Sequence, residues 1–380
     1  MGIETIGLLS FAGFREVETL VLLSDETVTV VSMSVRHKGN KERRKLLNKM
    51  DKKLNIVVDM NGCPNRCRHC WLGHMPNRRM EDGADRFIVN YYSPYFDKIA
   101  YYSWLREPDY CDDYEERWKK DVNISKNTVP QRFELASFYR IVRDEKYVPF
   151  LKSVGVKKVQ LTFFGLEPTQ DRYIGRKGAF QEVMRASNIL IREGVIPRWQ
   201  CFINEENRDE IVQLYRMARE IRQNRCPELE FFVHEGSCDG ENRKLYPIRI
   251  EKHHIPEDIK EVFLDYDALR SEAECHRALL NDHSNPVFRI ENEITLNISN
   301  LFDVYYNFTH MTDPWKIGNL KTDDPEILVQ NILSGNTYAL NAAKQCTWAE
   351  LTKKYGNPSS DRVFELDDYK MYLFNEYLSD

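Results

Sequence analysis

The sequence predicts an α/β fold built on a parallel sheet, and three observations carry this. First, apolar runs at Leu54–Asp59, Val156–Phe164, Ile196–Asn204 and Leu229–Val233 read as buried strands. Second, the stretches between the later strands, Ala179–Glu193 and 206–224, place apolar residues on one helical face, and Gly194 stops the first of them. Strands alternating with such helices make βαβ units. Third, the chain has 380 residues, 42% of them hydrophobic and 30% charged. That is a globular composition with enough length for a sizeable core.

Taken in order, Leu20–Leu23 and Val28–Val31 flank a four-residue turn and read as an N-terminal β-hairpin. Residues 36–53 are strongly basic and read as a solvated helix, with a phosphate or nucleic-acid patch as the alternative. The strand at Leu54–Asp59 follows. Residues 75–145 are aromatic and mixed in charge, too long for a simple crossover. They read either as a cover over a pocket or as helices packed outside the domain. Beyond Gly240 the rhythm changes. Pro256–Asn281 reads as helical, and Val287–Ile290 with Ile294–Ile298 reads as a hairpin. A strand at Phe302–Phe308 is expected to pair with it. Helices are expected at Asp324–Leu333, capped by Gly335, and near 366–378. The expected division is 1–53, hairpin and basic helix; 54–240, core; and 241–380, an α+β extension.

The chemistry concentrates in Cys63-Pro-Asn-Arg-Cys67-Arg-His-Cys70, which directly follows the first strand. Three thiols at C-x3-C-x2-C spacing form a metal site. They suit a [4Fe–4S] cluster with one iron left open, since thiolates are the ligands of such clusters. Structural zinc, which closes with four ligands, is the alternative. The loop lies at a strand's C-terminal end, where α/β folds build active sites. The other six cysteines are scattered singly through the chain and read as free thiols. A second strand end carries Gly165-Leu166-Glu167-Pro168-Thr169, a sharp turn because Gly permits unusual dihedrals and Pro fixes the next one. On the third strand Arg198, Gln200 and Asn204 share one face, a polar face in a core strand. Cofactor contact explains such a face, and so does a hydrogen-bonded structural one.

The cysteine motif and the Gly-Leu-Glu-Pro turn together resemble the radical S-adenosylmethionine (SAM) superfamily over residues 54–240. The resemblance implies a partial or full (β/α) barrel. It implies that Cys63, Cys67 and Cys70 hold three irons of a [4Fe–4S] cluster and that SAM chelates the fourth. His69 would lie on the adenine side, and Gly165, Leu166 and Glu167 would receive the SAM amino group, largely through backbone carbonyls. Leu166 stands where a second Gly is common, a change that keeps the backbone acceptors. Arg198, Gln200, Asn204 and His234 are further expected SAM contacts. The stretch Phe302–Tyr306 followed by Asp313–Leu320 resembles the SPASM or twitch extension of the same superfamily. The clustered cysteines of such extensions are missing here, so a cluster-free remnant covering the substrate is expected.

The implied activity is reductive cleavage of SAM to a 5′-deoxyadenosyl radical that takes a hydrogen atom from a small metabolite such as a sugar, nucleoside or amino acid, in a biosynthetic pathway. The reductant would be a flavodoxin or ferredoxin. A peptide-modifying maturase is the alternative, and a non-catalytic Fe–S or zinc-binding protein is the alternative of another class. The net charge of −5 argues against a nucleic-acid partner. No apolar run is long enough to span a membrane, and the N-terminus lacks signal-peptide features, so a cytoplasmic location is expected.

Overall fold

The computed structural model describes residues 53–380 except 71, 74, 133, 239, 288–292 and 307–310. The expected N-terminal hairpin, and the basic run apart from Lys53, lie outside the described residues.

The first half begins with β1 (Lys53–Val58), whose last three residues are buried. It continues through α1 (Ala84–Tyr92), β2 (Lys98–Tyr102), α2 (Tyr114–Ile124), α3 (Phe138–Ile141) and α4 (Tyr147–Ser153). The βαβ run follows as β3 (Lys158–Phe163), α5 (Glu167–Ile174), α6 (Ala179–Arg192), β4 (Ile196–Phe202), α7 (Arg208–Asn224) and β5 (Glu230–His234). The remainder is β6 (Arg270–Ser271), α8 (Glu272–Leu279), β7 (Glu293–Ile298), β8 (Asp303–Tyr306), β9 (Lys316–Asn319), α9 (Pro325–Ser334), α10 (Tyr338–Ala343), α11 (Trp348–Tyr355), β10 (Val363–Phe364) and α12 (Leu366–Ser379).

The α/β character holds, with two principal sheets. Strands β3, β4 and β5 pair in parallel in that order. Their core joins Leu161, Phe163, Trp199 and Val233 to Val183, Leu190, Ile211 and Leu214 of the covering helices α6 and α7. The second sheet runs β2-β1-β7-β8-β9. Here β1 is parallel to both β2 and β7, and β8 and β9 add antiparallel strands. No closed barrel forms among the described residues, because no strand of the β2-β1-β7-β8-β9 sheet pairs with a strand of the β3-β4-β5 sheet.

One expectation is corrected. Pro256–Asn281 is not one helix: 3-10 turns cover Glu257–Val262, and α8 starts only at Glu272. The reason is local. Ser271 accepts from the Glu274 N–H and Glu274 returns the bond, a capping box that sets the helix start there. The strand Glu293–Ile298 is held by β1 on one side and β8 on the other. Residues 288–290 of the expected first limb lie outside the described residues. The strand β2 inside 75–145 went unanticipated. The helices Pro325–Ser334, ended by left-handed Gly335, and Leu366–Ser379 match their expected positions.

Candidate active site

The thiol loop leaves β1 at Asp59 and is held at several points. The Cys63 N–H donates to Asn77 Oδ1 at 2.8 Å. The Cys70 N–H donates to the Cys67 carbonyl at 3.2 Å, and the Gly73 N–H to the Cys70 carbonyl at 3.0 Å. The end of α5 grips the middle of the loop: the Ile174 carbonyl accepts from the Arg66 N–H at 2.9 Å, and the Tyr173 carbonyl from the Arg68 N–H at 2.8 Å. Gly175 caps α5 at φ 72°, and a Cβ there would sit 2.6 Å from the Arg66 carbonyl oxygen. Gly175→Ala is therefore expected to destabilise the fold by about 1–3 kcal/mol through backbone strain, before any displacement of Arg66. Urea unfolding measures this, and iron content after desalting should fall with it.

Below the loop lies a buried polar knot. Arg106 Nε and Nη2 donate to the two oxygens of Asp59 at 3.0 and 2.8 Å. Asn300, beyond the end of β7, donates to Asp59 Oδ2 at 3.1 Å. Arg106 also donates to the Met75 and Pro76 carbonyls, each at 3.1 Å, and so ties down the exit of the loop.

Cys63, Cys67 and Cys70 are free and half-buried, and all three line one cavity of about 920 Å³. Burial pushes all three thiols up; the carboxylate of Glu107, which approaches Cys63 Sγ at 4.0 Å, adds to this for Cys63 and Cys67. Burial in turn raises Glu107 to about 7, against the opposing effects of the Ser137 hydroxyl bond and Arg176. A positively charged metal group beside the thiols would reverse the balance and favour the thiolates that bind it. The donor set, three soft sulfurs converging on one pocket, fits an iron–sulfur cluster. His69 packs against Phe164, ring centroids 4.0 Å apart, and burial lowers it to about 3, so its ring is neutral. Its Nδ1 is buried without a hydrogen-bond partner. Phe164 stacks on Tyr173 and Phe202 at 5.2 and 5.4 Å, forming an aromatic wall of the cavity.

The Gly165 turn is braced by α7. The Leu166 N–H and the Thr169 hydroxyl both donate to Glu210, the latter at 2.6 Å. Gly165 sits at φ 146°, and a Cβ would lie 2.4 Å from Glu210 Oε2, so only glycine fits. Of the expected site residues, His69 and Asn204 line the cavity with the three cysteines. Gly165, Leu166 and Glu167 do not line it. Glu167 is exposed and bonded to Gln181, while the neighbouring Thr162 and Phe164 reach the cavity. Gln200 is fully buried and accepts from Gln160, a cavity residue, at 2.6 Å. Arg198 pairs with Glu134 at 2.7 Å and Glu230 at 3.3 Å. The Nδ1 of His234 accepts the Gly236 N–H at 2.8 Å.

Sequence reasoning missed much of the opposite wall. Glu107, Tyr110, Phe138 and Tyr139 come from the 75–145 segment, which thus both lines the cavity and packs outside it. Glu235, Cys238 and Arg249 follow β5, and Arg249 donates to Cys238 Sγ at 3.0 Å. No local pattern announces these residues. Asn207 could have been found as the polar residue before α7; its amide donates to the Phe164 and Phe202 carbonyls at 2.7 Å each. Cys238, Cys275 and Cys346 belong to one apolar cluster.

This is the arrangement of an iron–sulfur α/β enzyme: the loop can hold a cluster by three corners while the cavity beside it takes organic ligands. Residues 57–218 match the family model of the radical SAM superfamily. That stretch is a radical SAM domain, and enzymes of the superfamily use a [4Fe–4S] cluster and SAM. Among solved structures it is similar to native anSMEcpe with bound AdoMet at 15% identity and TM-score 0.47, over 85% of this chain and 96% of that one. It is also similar to Streptococcus suis SuiB bound to precursor peptide SuiA at 11% identity and TM-score 0.45, over 87% and 84% of the two chains. No curated protein matches the chain. Among the described residues no helix is long and apolar enough to cross a membrane.

Proposed function

We propose that this enzyme cleaves SAM reductively and uses the 5′-carbon radical to take a hydrogen atom from a small polar metabolite bound in the same cavity. The observation that carries this reading is the shared cavity: three thiols on one wall, and Glu107, Arg176, Glu235 and Arg249 among its other lining residues. Its volume of about 920 Å³ is of the size that encloses small organic ligands. Cys63, Cys67 and Cys70 hold the cluster, which when reduced and bound to SAM supplies the electron for C–S cleavage. The aromatic wall of Phe164, Tyr173 and Phe202, with His69 against it, offers flat apolar surface for an adenine and keeps water away from it. Asn204 contacts SAM from the cavity wall, while the Gly165–Glu167 backbone, Arg198, Gln200 and His234, which stand outside the lining, position the strand ends that carry Thr162, Phe164 and Asn204. The segment after residue 240 covers the substrate. A flavodoxin or ferredoxin in the cytoplasm delivers the electron.

The test is anaerobic reconstitution followed by SAM and dithionite, with 5′-deoxyadenosine as the expected product. Deuterated candidate sugars, nucleosides and amino acids should then pass deuterium into 5′-deoxyadenosine. Deuterium arriving only from peptides would overturn the small-metabolite reading while leaving the cleavage reaction intact.

A further inference from the structure

Away from the cavity, two imidazoles and three carboxylates meet where three distant segments converge. Glu205 follows cavity residue Asn204, Glu251–His254 follow the Arg249 wall, and Asp361 precedes β10. The His254 Nδ1 lies 3.0 Å from each oxygen of Glu205. The His253 Nδ1 lies 2.7 Å from Asp361 Oδ2, and its Nε2 lies 3.7 Å from Glu251 Oε2. The backbone reinforces the meeting point: the Glu251 N–H donates to Glu205 Oε1 at 2.7 Å, and the His253 N–H to Asp361 Oδ2 at 3.1 Å.

From this geometry we infer a second metal site, for a late first-row divalent cation such as Zn²⁺, with Glu251, His253 and His254 as its ligands. Their donor atoms already lie within 4.8 Å of one another. A tetrahedral zinc site needs about 3.4 Å between donors, and the exposed His253 ring and half-buried His254 can turn to close the gap. Glu205 and Asp361 stand behind the imidazoles. By accepting from Nδ1 they fix the tautomer that leaves Nε2 free as a metal ligand, the usual role of a carboxylate behind a ligating histidine. Imidazole donors favour zinc over magnesium or calcium. The charge also suits a cation: three carboxylates face one guanidinium, that of Arg208, 3.3 Å from Glu205 Oε2. A second grouping, His234 with Glu235 and Glu365, is less suited, because the Arg249 guanidinium already stands 3.7 Å from Glu235. Water would complete the coordination, and the Asp361–His253 hydrogen bond would tie the bound metal's segment to the chain before β10.

The test uses reconstituted full-length enzyme, so that the three cluster thiols are occupied by iron and cannot take zinc. After equilibration with micromolar ZnCl₂ and desalting, wild type should retain about one zinc per chain beyond its iron, and H253N/H254N less than about a tenth of that. Iron content should be equal in the two. Glu251→Gln leaves both histidine–carboxylate bonds intact and should weaken zinc binding about tenfold or more, which guards against misfolding of the double variant. Wild type without zinc, or equal zinc in wild type and both variants, would overturn the site.

Discussion

Replacing Cys67 with alanine is expected to remove the cluster and with it the cleavage of SAM. Even partners that only orient a metal ligand are worth about 10–100-fold in affinity or activity, so loss of a ligand should exceed about 100-fold. The checks are iron per chain, the brown absorbance of the reconstituted protein, and 5′-deoxyadenosine formed with SAM and dithionite. The fold should persist, because Cys67 is half-buried and no backbone hydrogen bond of the loop depends on its side chain. Cys67→Ala with full cleavage activity would falsify the assignment of this loop.

The second large effect belongs to Arg106. Its side chain is 8% exposed and that of Asp59 1%, so the pair is shielded from water. Arg106→Leu strands a buried carboxylate and frees two carbonyls at the exit of the thiol loop. The expected cost is about 3–5 kcal/mol, the range for breaking a buried ion pair from one side. Denaturant unfolding of the variant gives the number. Asp59→Leu combined with Arg106→Leu should cost less than Arg106→Leu alone, because no unpaired charge is left. A double variant less stable than the single would show that the pair matters through Asn300 and the carbonyls rather than through its charge.

What the sequence made legible was local. The strands at Lys53–Val58, Lys158–Phe163, Ile196–Phe202 and Glu230–His234 are short segments rich in apolar residues, and the burial of those residues follows from that pattern. The three thiols were visible because a cluster loop needs its ligands within a few residues of one another. Strand β2 was hidden: Ile99-Ala100-Tyr101-Tyr102 sits in an aromatic and acidic segment with no period of its own. The β1–β7 pairing was hidden for a different reason. It joins residues such as Lys53 and Glu293, separated by 240 positions, and hydrophobic period says nothing about which strand a strand will choose. The cavity's far wall was unreadable on the same ground. Glu107, Glu235 and Arg249 become a site only through contacts between segments far apart in the chain.

Helix α5 has a consequence of its own. Its first residues carry the turn at Gly165 and its last residues hold the thiol loop through the Tyr173 and Ile174 carbonyls. Eight residues at the usual helical rise make a strut of about 12 Å. The strut works as a ruler: the spacing between turn and loop is set by a count of residues rather than by the flexibility of either end. Adding or removing one residue would change that spacing by about 1.5 Å and turn one end by about 100° relative to the other. The two motifs, about a hundred residues apart in sequence, therefore behave mechanically as one piece.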